Sequence, residues 1–415
     1  MLVNDSWREA FPVPLLPVLR HMEPTCQGGL SQLRKWTTLP FAISLIVLVS
    51  LIVNVAARFI PPERVAFRAW DAASLYATSE GHFAPNFHYA NDRTFGDLAK
   101  FGNLPSFRGY HREVFTTDEF GFRNSPGNGA GRPPAILVVG DSFAVGCGVS
   151  DQDTLSAQLS YLTGKTVYNG GTDLGRWATT KALINRLRMR NGWIVWELSE
   201  SHAAPLLARQ LFTVGLTAPT GTSGVDASEN TGRSDLLGKY RRWADDFWAY
   251  SPLSIVIDRI LLRMQDDVWL PNPSRGAVFV DHLKNGDGML FMPYQVEAFY
   301  HPRYSSSDYF SEVNALVGET GNKLLVVMIP SKYVVYRPLL ISAGPSPERQ
   351  SHWGQFEEEL LRLGVPAVNL TSALKLQAAE GLQNKEYDYF IDDTHWNQFG
   401  IHIAAAAISQ YLKNR

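Results

Sequence analysis

The stretch Ala135-Ile136-Leu137-Val138-Val139-Gly140-Asp141-Ser142-Phe143 decides the fold of this chain. Five apolar residues, most of them β-branched, run directly into Gly-Asp-Ser, and Pro133-Pro134 stands before them. A continuous apolar run of this length predicts a strand buried on both faces of a parallel sheet. Ser142 then follows the carboxyl end of that strand, which is where open α/β sheets bind their ligands.

The residues after Ser142 predict a turn and then a helix. Gly146 and Gly148 allow a tight turn, and residues 154–162 have the pattern of a helix. A serine hydroxyl near a helix N-terminus is well placed to act as a nucleophile beside a developing oxyanion. A strand–helix turn with a capping serine would have the same sequence, so Gly-Asp-Ser alone leaves both interpretations open.

A second polar motif lies near the C-terminus. The run Tyr389-Phe390-Ile391-Asp392-Asp393-Thr394-His395-Trp396-Asn397 precedes a predicted helix over 400–412. A serine nucleophile needs a base, and the base needs an orienting carboxylate. His395 with Asp393, or alternatively Asp392, supplies both, whereas a loop that only capped the last helix would not require a histidine. We therefore predict Ser142, His395 and Asp393 as catalytic residues.

Strands and helices alternate from residue 135 onward. This alternation predicts an α/β fold with a doubly wound parallel sheet, flavodoxin-like, in three layers with right-handed crossovers. The further strands are expected at 165–168, 193–198, 323–330 and 367–370.

The chain is expected to have four parts. Residues 1–38 form a cytoplasmic tail, 39–58 a transmembrane helix, 59–130 a connector with short elements, and 131–415 the α/β domain. A mostly helical insertion is expected at 203–310 within this domain.

The membrane prediction depends on residues 39–57, which carry no charge. At about 1.5 Å per residue, a helix of this length just spans a hydrocarbon core of about 30 Å. A buried core helix and a cleaved signal peptide are the alternatives. Basic residues flank both ends, so they do not decide the orientation. We expect a single-pass protein of the inner membrane with its bulk in the periplasm or an equivalent compartment.

Composition excludes several classes of site. The formal net charge of −2 gives no indication of nucleic-acid binding. The two cysteines, Cys26 and Cys147, lie on opposite sides of the apolar segment, so no structural disulfide is expected. No Cys/His cluster has metal-ligand spacing, and neither a metal nor another cofactor is expected.

Three motifs in order resemble the SGNH/GDSL hydrolase superfamily. They are Gly140-Asp141-Ser142-Phe143, the Asn169-Gly170-Gly171 segment after the next strand, and the late Asp and His. The resemblance covers roughly 131–415. It implies that Ser142 is the nucleophile, with His395 as base and Asp393 or Asp392 as its partner. It also implies an oxyanion hole made by the backbone N–H groups of Ser142 and of a second-block glycine, Gly171 or Gly175.

The third block departs from the superfamily pattern. The family commonly supplies an asparagine there as another oxyanion donor, whereas this strand ends in Ser199-Glu200-Ser201-His202. Either His202 takes that place or the donor is missing.

A narrower resemblance concerns Asp393-Thr394-His395-Trp396, with Ile329-Pro330-Ser331-Lys332 and Tyr336 upstream. This set is similar to the SGNH-like domains of alginate O-acetyltransferases, although there the Asp-Thr-His-Trp motif precedes the serine block. The Asp-x-His form in that group favours Asp393 over Asp392.

These resemblances imply a membrane-anchored O-acyltransferase that acetylates an extracytoplasmic polysaccharide through an acyl-serine. The implied partners are a polysaccharide acceptor and a polytopic membrane acyltransferase that supplies acyl groups. An anchored esterase or deacetylase with the same triad is one alternative. A catalytically inactive glycan-binding or scaffold component is another, although the intact Ser/His/Asp set argues against it.

Overall fold

A computed structural model of the chain describes residues 29–57, 59, 66–74, 83–128, 131–172, 176–200, 278–300, 307–343 and 352–415. The chain divides into two compact units, Met1–Phe59 and Ile60–Arg415. Most of the predicted insertion lies outside the described residues, as do Gly175 and His202.

The first unit contains one long helix, α1 (Gly29–Ala57), with Pro40 inside it. This helix includes the apolar segment 39–57 and begins before it, within the segment 1–38 that was expected to be a tail. Large apolar side chains such as Phe41, Ile46 and Ile52 are exposed along it. Among the described residues, no helix has the length and apolar character of a membrane span.

The second unit contains the described strands and the remaining described helices. The strands are β1 (His88–Thr94), β2 (His111–Thr116), β3 (Ile136–Val139), β4 (Val167–Asn169), β5 (Trp193–Ser199), β6 (Phe279–His282), β7 (Gly288–Phe291), β8 (Lys323–Ile329) and β9 (Ala367–Asn369). The helices are α2 (Ala69–Ser74), α3 (Asp97–Phe101), α4 (Ser142–Val145), α5 (Leu155–Thr163), α6 (Trp177–Arg186), α7 (Pro293–Tyr300), α8 (Ser307–Glu319), α9 (Lys332–Tyr336), α10 (His352–Arg362), α11 (Thr371–Gly381) and α12 (Gln398–Lys413).

Five strands form the central sheet in the order β4-β3-β5-β8-β9, and every neighbouring pair is parallel. The predicted parallel α/β sheet is therefore confirmed. The chain goes from β3 outward to β4 and then returns to β5 on the other side of β3. This reversal makes the end of β3 a topological switch point, and Ser142 stands immediately after it.

Alternate residues of β3 enter two different cores. Ile136 and Val138 pack in a cluster with residues of α5 and α12. Leu137 and Val139 pack on the opposite face with residues of α6, α8 and α10. Because successive side chains of a strand point to opposite faces, helices cover the sheet on both sides, which gives the predicted three layers.

Two antiparallel hairpins lie beside the sheet. The first, β1–β2, is in the connector, where the sequence predicted short elements. The second, β6–β7, lies in the described part of the insertion. That part is therefore not helical throughout, because residues 279–291 pair as strands before α7 begins.

Arg123 ties the connector to the turn that carries Ser142. Its guanidinium is buried and donates to the carbonyl oxygens of Val145 at the end of α4, of Gly146 and Val149 just after it, and of Val114 in β2. Its Nε also donates to Asp151 at 3.1 Å. The Arg123 side chain therefore donates hydrogen bonds both to β2 of the connector and to the segment that follows Ser142.

We predict that Arg123→Met lowers the free energy of unfolding by at least about 3 kcal/mol. The substitution leaves buried carbonyl oxygens without a donor, which is among the costly classes of change. Chemical denaturation of the full-length protein measures the loss. The matched control is Arg112→Met, because the Arg112–Asp92 ion pair is exposed, with 65% and 77% of the side chains accessible, and an exposed pair contributes little. Equal losses in both variants would contradict the prediction.

Candidate active site

The structure brings Ser142, His395 and Asp393 into one hydrogen-bonded chain. Ser142 Oγ lies 2.7 Å from His395 Nε2. His395 Nδ1 lies 2.6 Å from Asp393 Oδ1. His395 and Asp393 are buried, and Ser142 is half-buried. This is the geometry in which an imidazole can take a proton from a serine hydroxyl while a carboxylate orients the ring.

The turn after β3 positions the serine. Gly140 has φ +155, and a side chain there would collide with Glu197. Asp141 caps the short helix α4 by accepting a hydrogen bond from the Phe143 backbone N–H at 2.7 Å. Ser142 is the first residue of this helix, and its N–H has no acceptor among the residues that the structure describes. That N–H is therefore free to stabilise an oxyanion.

The loop before α12 positions the base. Tyr389 and Trp396 form an antiparallel bridge across the loop, and Asn397 caps α12 by accepting from the Phe399 N–H at 2.9 Å. Within the loop, Asp393 Oδ1 accepts from the His395 backbone N–H at 2.9 Å as well as contacting its ring. The tight Asp-Thr-His turn thus fixes both ring position and tautomer.

Asp392, the alternative partner of His395, has a different role. Its carboxylate accepts hydrogen bonds from the backbone N–H groups of Gly96 and Gly109, both at 2.8 Å. It therefore fastens the loop to the connector, and Asp393 is the residue that contacts the imidazole.

The charges of Asp393 and His395 stabilise each other. Burial alone would raise the pKa of Asp393, but the charge and hydrogen bond of His395, together with Arg68, hold this pKa well below its usual range. Burial alone would lower the pKa of His395, yet the neighbouring Asp393 and Asp97 raise it above its ordinary value. The site therefore favours an imidazolium, which is the species that forms when the base has accepted the serine proton.

The second-block glycine needs a correction. The Gly171 N–H donates to the Asn169 side chain at 2.9 Å, so it is not available to an oxyanion. Its neighbours Gly170 and Thr172 donate to the carbonyl oxygens of Val138 and Gly140. Gly171 instead allows close packing, because a Cβ there would lie 2.6 Å from the Val145 nitrogen. Gly175 and His202 remain predictions, since both lie outside the described residues.

A buried carboxyl pair lies beneath the nucleophile turn, and the sequence analysis did not identify it. The Asp141 N–H donates to Glu197 Oε2 at 3.0 Å, and Ser199 Oγ donates to Asp141 Oδ2 at 2.5 Å. Burial and the charge of Asp141 raise the pKa of Glu197 well above its ordinary value. The available signal was a glutamate inside an otherwise apolar strand.

Asp97 also belongs to the site and was missed. Its backbone N–H donates to Asp393 Oδ2 at 2.9 Å, and its Oδ2 lies 4.0 Å from His395 Nδ1. It stands in the connector without a recognisable motif, so sequence order gave no sign of it.

Asp97, Asp393 and His395 are also the described residues with a spacing that suits a metal ion. Their ligand atoms lie within 4.8 Å of one another. However, the same atoms of Asp393 and His395 are already hydrogen-bonded to each other at 2.6 Å. We therefore interpret the group as part of the serine–histidine site.

Lys332 holds the loop that contains His395 through two hydrogen bonds. It is fully buried at the start of α9, and its Nζ donates to the carbonyl oxygens of Ile391 and Asp393, both at 3.0 Å. Burial lowers the pKa of Lys332 to about 7, although the nearby carboxylates of Asp392, Asp393 and Asp97 act in the opposite direction.

We predict that Lys332 makes stability increase with pH between about 7 and its ordinary pKa of 10.5. In this window the unfolded chain holds the lysine proton and the folded chain does not, so raising the pH favours folding. The free energy of unfolding of wild type minus that of Lys332→Met should rise by up to about 1.4 kcal/mol per pH unit. Denaturant titrations at several pH values measure this difference, and a flat or falling difference would refute the prediction.

Comparison with known protein families supports the second resemblance. Residues 296–415 match the family model described as "SGNH hydrolase-like domain, acetyltransferase AlgX". The matched range contains Asp393 and His395, whereas Ser142 precedes it. No curated protein matches the chain. The predicted relationship to the SGNH hydrolase-like alginate O-acetyltransferase family is thus confirmed, over residues 296–415.

Proposed function

We propose that this protein is a serine-dependent O-acyltransferase that acetylates an extracytoplasmic polysaccharide. The observation that carries the proposal is the hydrogen-bonded chain from Ser142 Oγ through His395 to Asp393, with distances of 2.7 and 2.6 Å. The family match over residues 296–415 supports acetyl transfer as the reaction class.

The first half of the reaction would form an acyl-enzyme. His395 Nε2 accepts the proton of Ser142 Oγ while the oxygen attacks the carbonyl carbon of an acyl donor. The resulting oxyanion accepts a hydrogen bond from the Ser142 N–H, and one such donor contributes about 3 kcal/mol to the transition state. His395 then gives its proton to the leaving group, and an acyl ester remains on Ser142.

The second half would transfer the acyl group. A sugar hydroxyl attacks the acyl-serine carbonyl, His395 takes the hydroxyl proton, and this proton returns to Ser142 Oγ as the ester bond breaks. Water in place of the sugar would make the protein an esterase with the same residues. The choice between them depends on acceptor positioning and water exclusion.

Anchoring to the inner membrane is part of the proposal. The apolar, uncharged segment 39–57 supports it, as does the exposure of large apolar side chains along α1. A domain on the far side of that membrane needs an acyl donor there, so we include a polytopic membrane acyltransferase as partner.

We predict that Ser142 becomes acetylated when the full-length protein is incubated with p-nitrophenyl acetate. Intact-mass and peptide mass spectrometry should find one acetyl group on Ser142 and, when an oligosaccharide is added, acetylated sugar. Ser142→Ala should abolish both products, whereas Ser106→Ala, an exposed serine of the connector, should change neither. Release of nitrophenol without sugar product, across a panel of acceptors, would favour the esterase. An absence of acylation and release under every condition would overturn both enzymes and leave the binding component.

The adjacent carboxylates give a second test. Asp393→Asn should slow Ser142 acylation by about 10³- to 10⁴-fold, because an amide no longer holds the reactive tautomer of the histidine. Asp392→Asn should slow it by less than about tenfold, since Asp392 contacts backbone N–H groups of the connector and not the ring. Stopped-flow measurement of nitrophenol release compares the two variants. A larger effect at Asp392 would show that the assignment is wrong.

A further inference from the structure

Asp97 makes three hydrogen bonds to the turn that contains the base. Its N–H donates to Asp393 Oδ2 at 2.9 Å. Its Oδ1 accepts from the Thr394 N–H at 3.0 Å, and its Oδ2 accepts from Thr394 Oγ1 at 2.9 Å. These contacts join residues that are 296 or 297 positions apart in the chain. The backbone N–H and both carboxylate oxygens of Asp97, at the start of α3, therefore each have a hydrogen-bond partner in the Asp393-Thr394-His395 turn.

The same carboxylate lies beside the imidazole. Asp97 Oδ2 is 4.0 Å from His395 Nδ1, the nitrogen that also contacts Asp393. Thr394 Oγ1, which donates to Asp97, is 3.2 Å from the same nitrogen. Asp97 is only 6% exposed, so water screens this charge weakly. His395 thus has two buried carboxylates on its Nδ1 side, one in hydrogen-bond contact and one at a distance.

We propose that Asp97 is a positioning residue for His395: it fixes the Asp393-Thr394-His395 turn and places a second negative charge beside the imidazole. The charge stabilises the imidazolium that forms when Ser142 gives up its proton. This inference rests on the proposed function, because the base needs such support only if Ser142 is acylated. It also makes the connector a part of the active site.

The pKa of Asp97 lies close to neutral pH. Burial raises the pKa of Asp97 to about 6, and Asp393 adds to this effect, whereas His395, Arg68 and the Thr394 hydroxyl oppose it. Arg68 Nη1 stands 3.8 Å from Asp97 Oδ2 and is the cation on its other side. The titratable and charged groups that act on Asp97, His395 or their direct neighbours are Arg68, Asp71, Glu113, Asp393, Asp392, Lys332 and Cys147.

The sign of the effect follows from these charges. An ionised Asp97 favours the protonated form of His395 and therefore raises its pKa. Asp97→Asn keeps an acceptor for the Thr394 N–H but removes the charge, so the pKa of His395 should fall. Because the base must be neutral to act, the acid limb of the rate profile should move to lower pH. The rate on the plateau should fall as well, since the imidazolium loses one of its two counter-charges.

The decisive experiment is an NMR titration of the histidine rings in the full-length protein with selectively labelled histidine. His395 is assigned by the signal that His395→Gln lacks. Asp97→Asn should lower the pKa of His395 by about one unit. Asp92→Asn is the matched control, because Asp92 lies in the same connector, is exposed and pairs with Arg112. This control should leave the His395 titration unchanged.

A kinetic measurement accompanies the titration. The plateau rate of Ser142 acylation by p-nitrophenyl acetate should fall about tenfold in Asp97→Asn, and the acid limb should shift in the same direction as the NMR titration. An unchanged pKa of His395 in a folded Asp97→Asn variant would overturn the proposal, whatever the rate does. If wild type is not acylated at all, the proposed function fails, while the NMR result still decides the role of Asp97.

A second measurement applies if Asp97→Asn does not fold. In wild type, the His395 signals should titrate in two steps, because the ionisation of Asp97 changes the field at the ring. A single-step titration of His395 would then overturn the proposal.

Discussion

The site depends on one constraint: two adjacent carboxylates in the loop over residues 388–397 are both buried. Asp392 and Asp393 are 1% and 4% exposed. Buried charges are tolerated only where donors surround them. Here the donors come from the connector, whose backbone N–H groups at Gly96, Gly109 and Asp97 point at the two carboxylates. Backbone N–H groups of the connector, far from the loop in sequence, thus take the place of water around the two carboxylates.

The same loop is held from the sheet side as well. Lys332 stands just beyond the end of β8 and donates to two of the loop's carbonyl oxygens, while Tyr389 Oη donates to the Pro330 carbonyl at 2.6 Å. The Trp396 ring packs edge-on against Phe143, next to the nucleophile, with ring centres 5.5 Å apart. Sheet, connector and loop therefore fix one another, so the distance between Ser142 and His395 is set by packing on all sides.

Sequence reasoning reached the sheet and the three side chains that the structure joins by hydrogen bonds, Ser142, His395 and Asp393, because their signals are local. A five-residue apolar run before Gly-Asp-Ser is visible within nine residues, and the Asp-x-His turn within three. The roles of Asp97 and Arg123 depend on contacts with partners far along the chain or across the fold, and no periodicity records such a partner. Gly171 shows a different limit, because its N–H donates to the Asn169 side chain and the motif alone does not indicate this. The β6–β7 hairpin was missed although Asn285-Gly286 stands between its two short apolar runs, and Asn-Gly in that position is typical of a hairpin turn.

The large sequence separation of these contacts has a consequence for the order in which the Ser142–His395–Asp393 site forms during folding. Ser142 and His395 are 253 residues apart, and the connector contacts of Asp393 close an even larger loop. Contacts of such high sequence separation form late in folding, because the entropy of loop closure must be overcome before they stabilise anything. On a ribosome, the strand that precedes Ser142 emerges long before His395. A nascent or truncated chain therefore carries Ser142 without His395 beside it, and the hydrogen-bonded chain of Ser142, His395 and Asp393 is complete only when α12 has docked against the sheet.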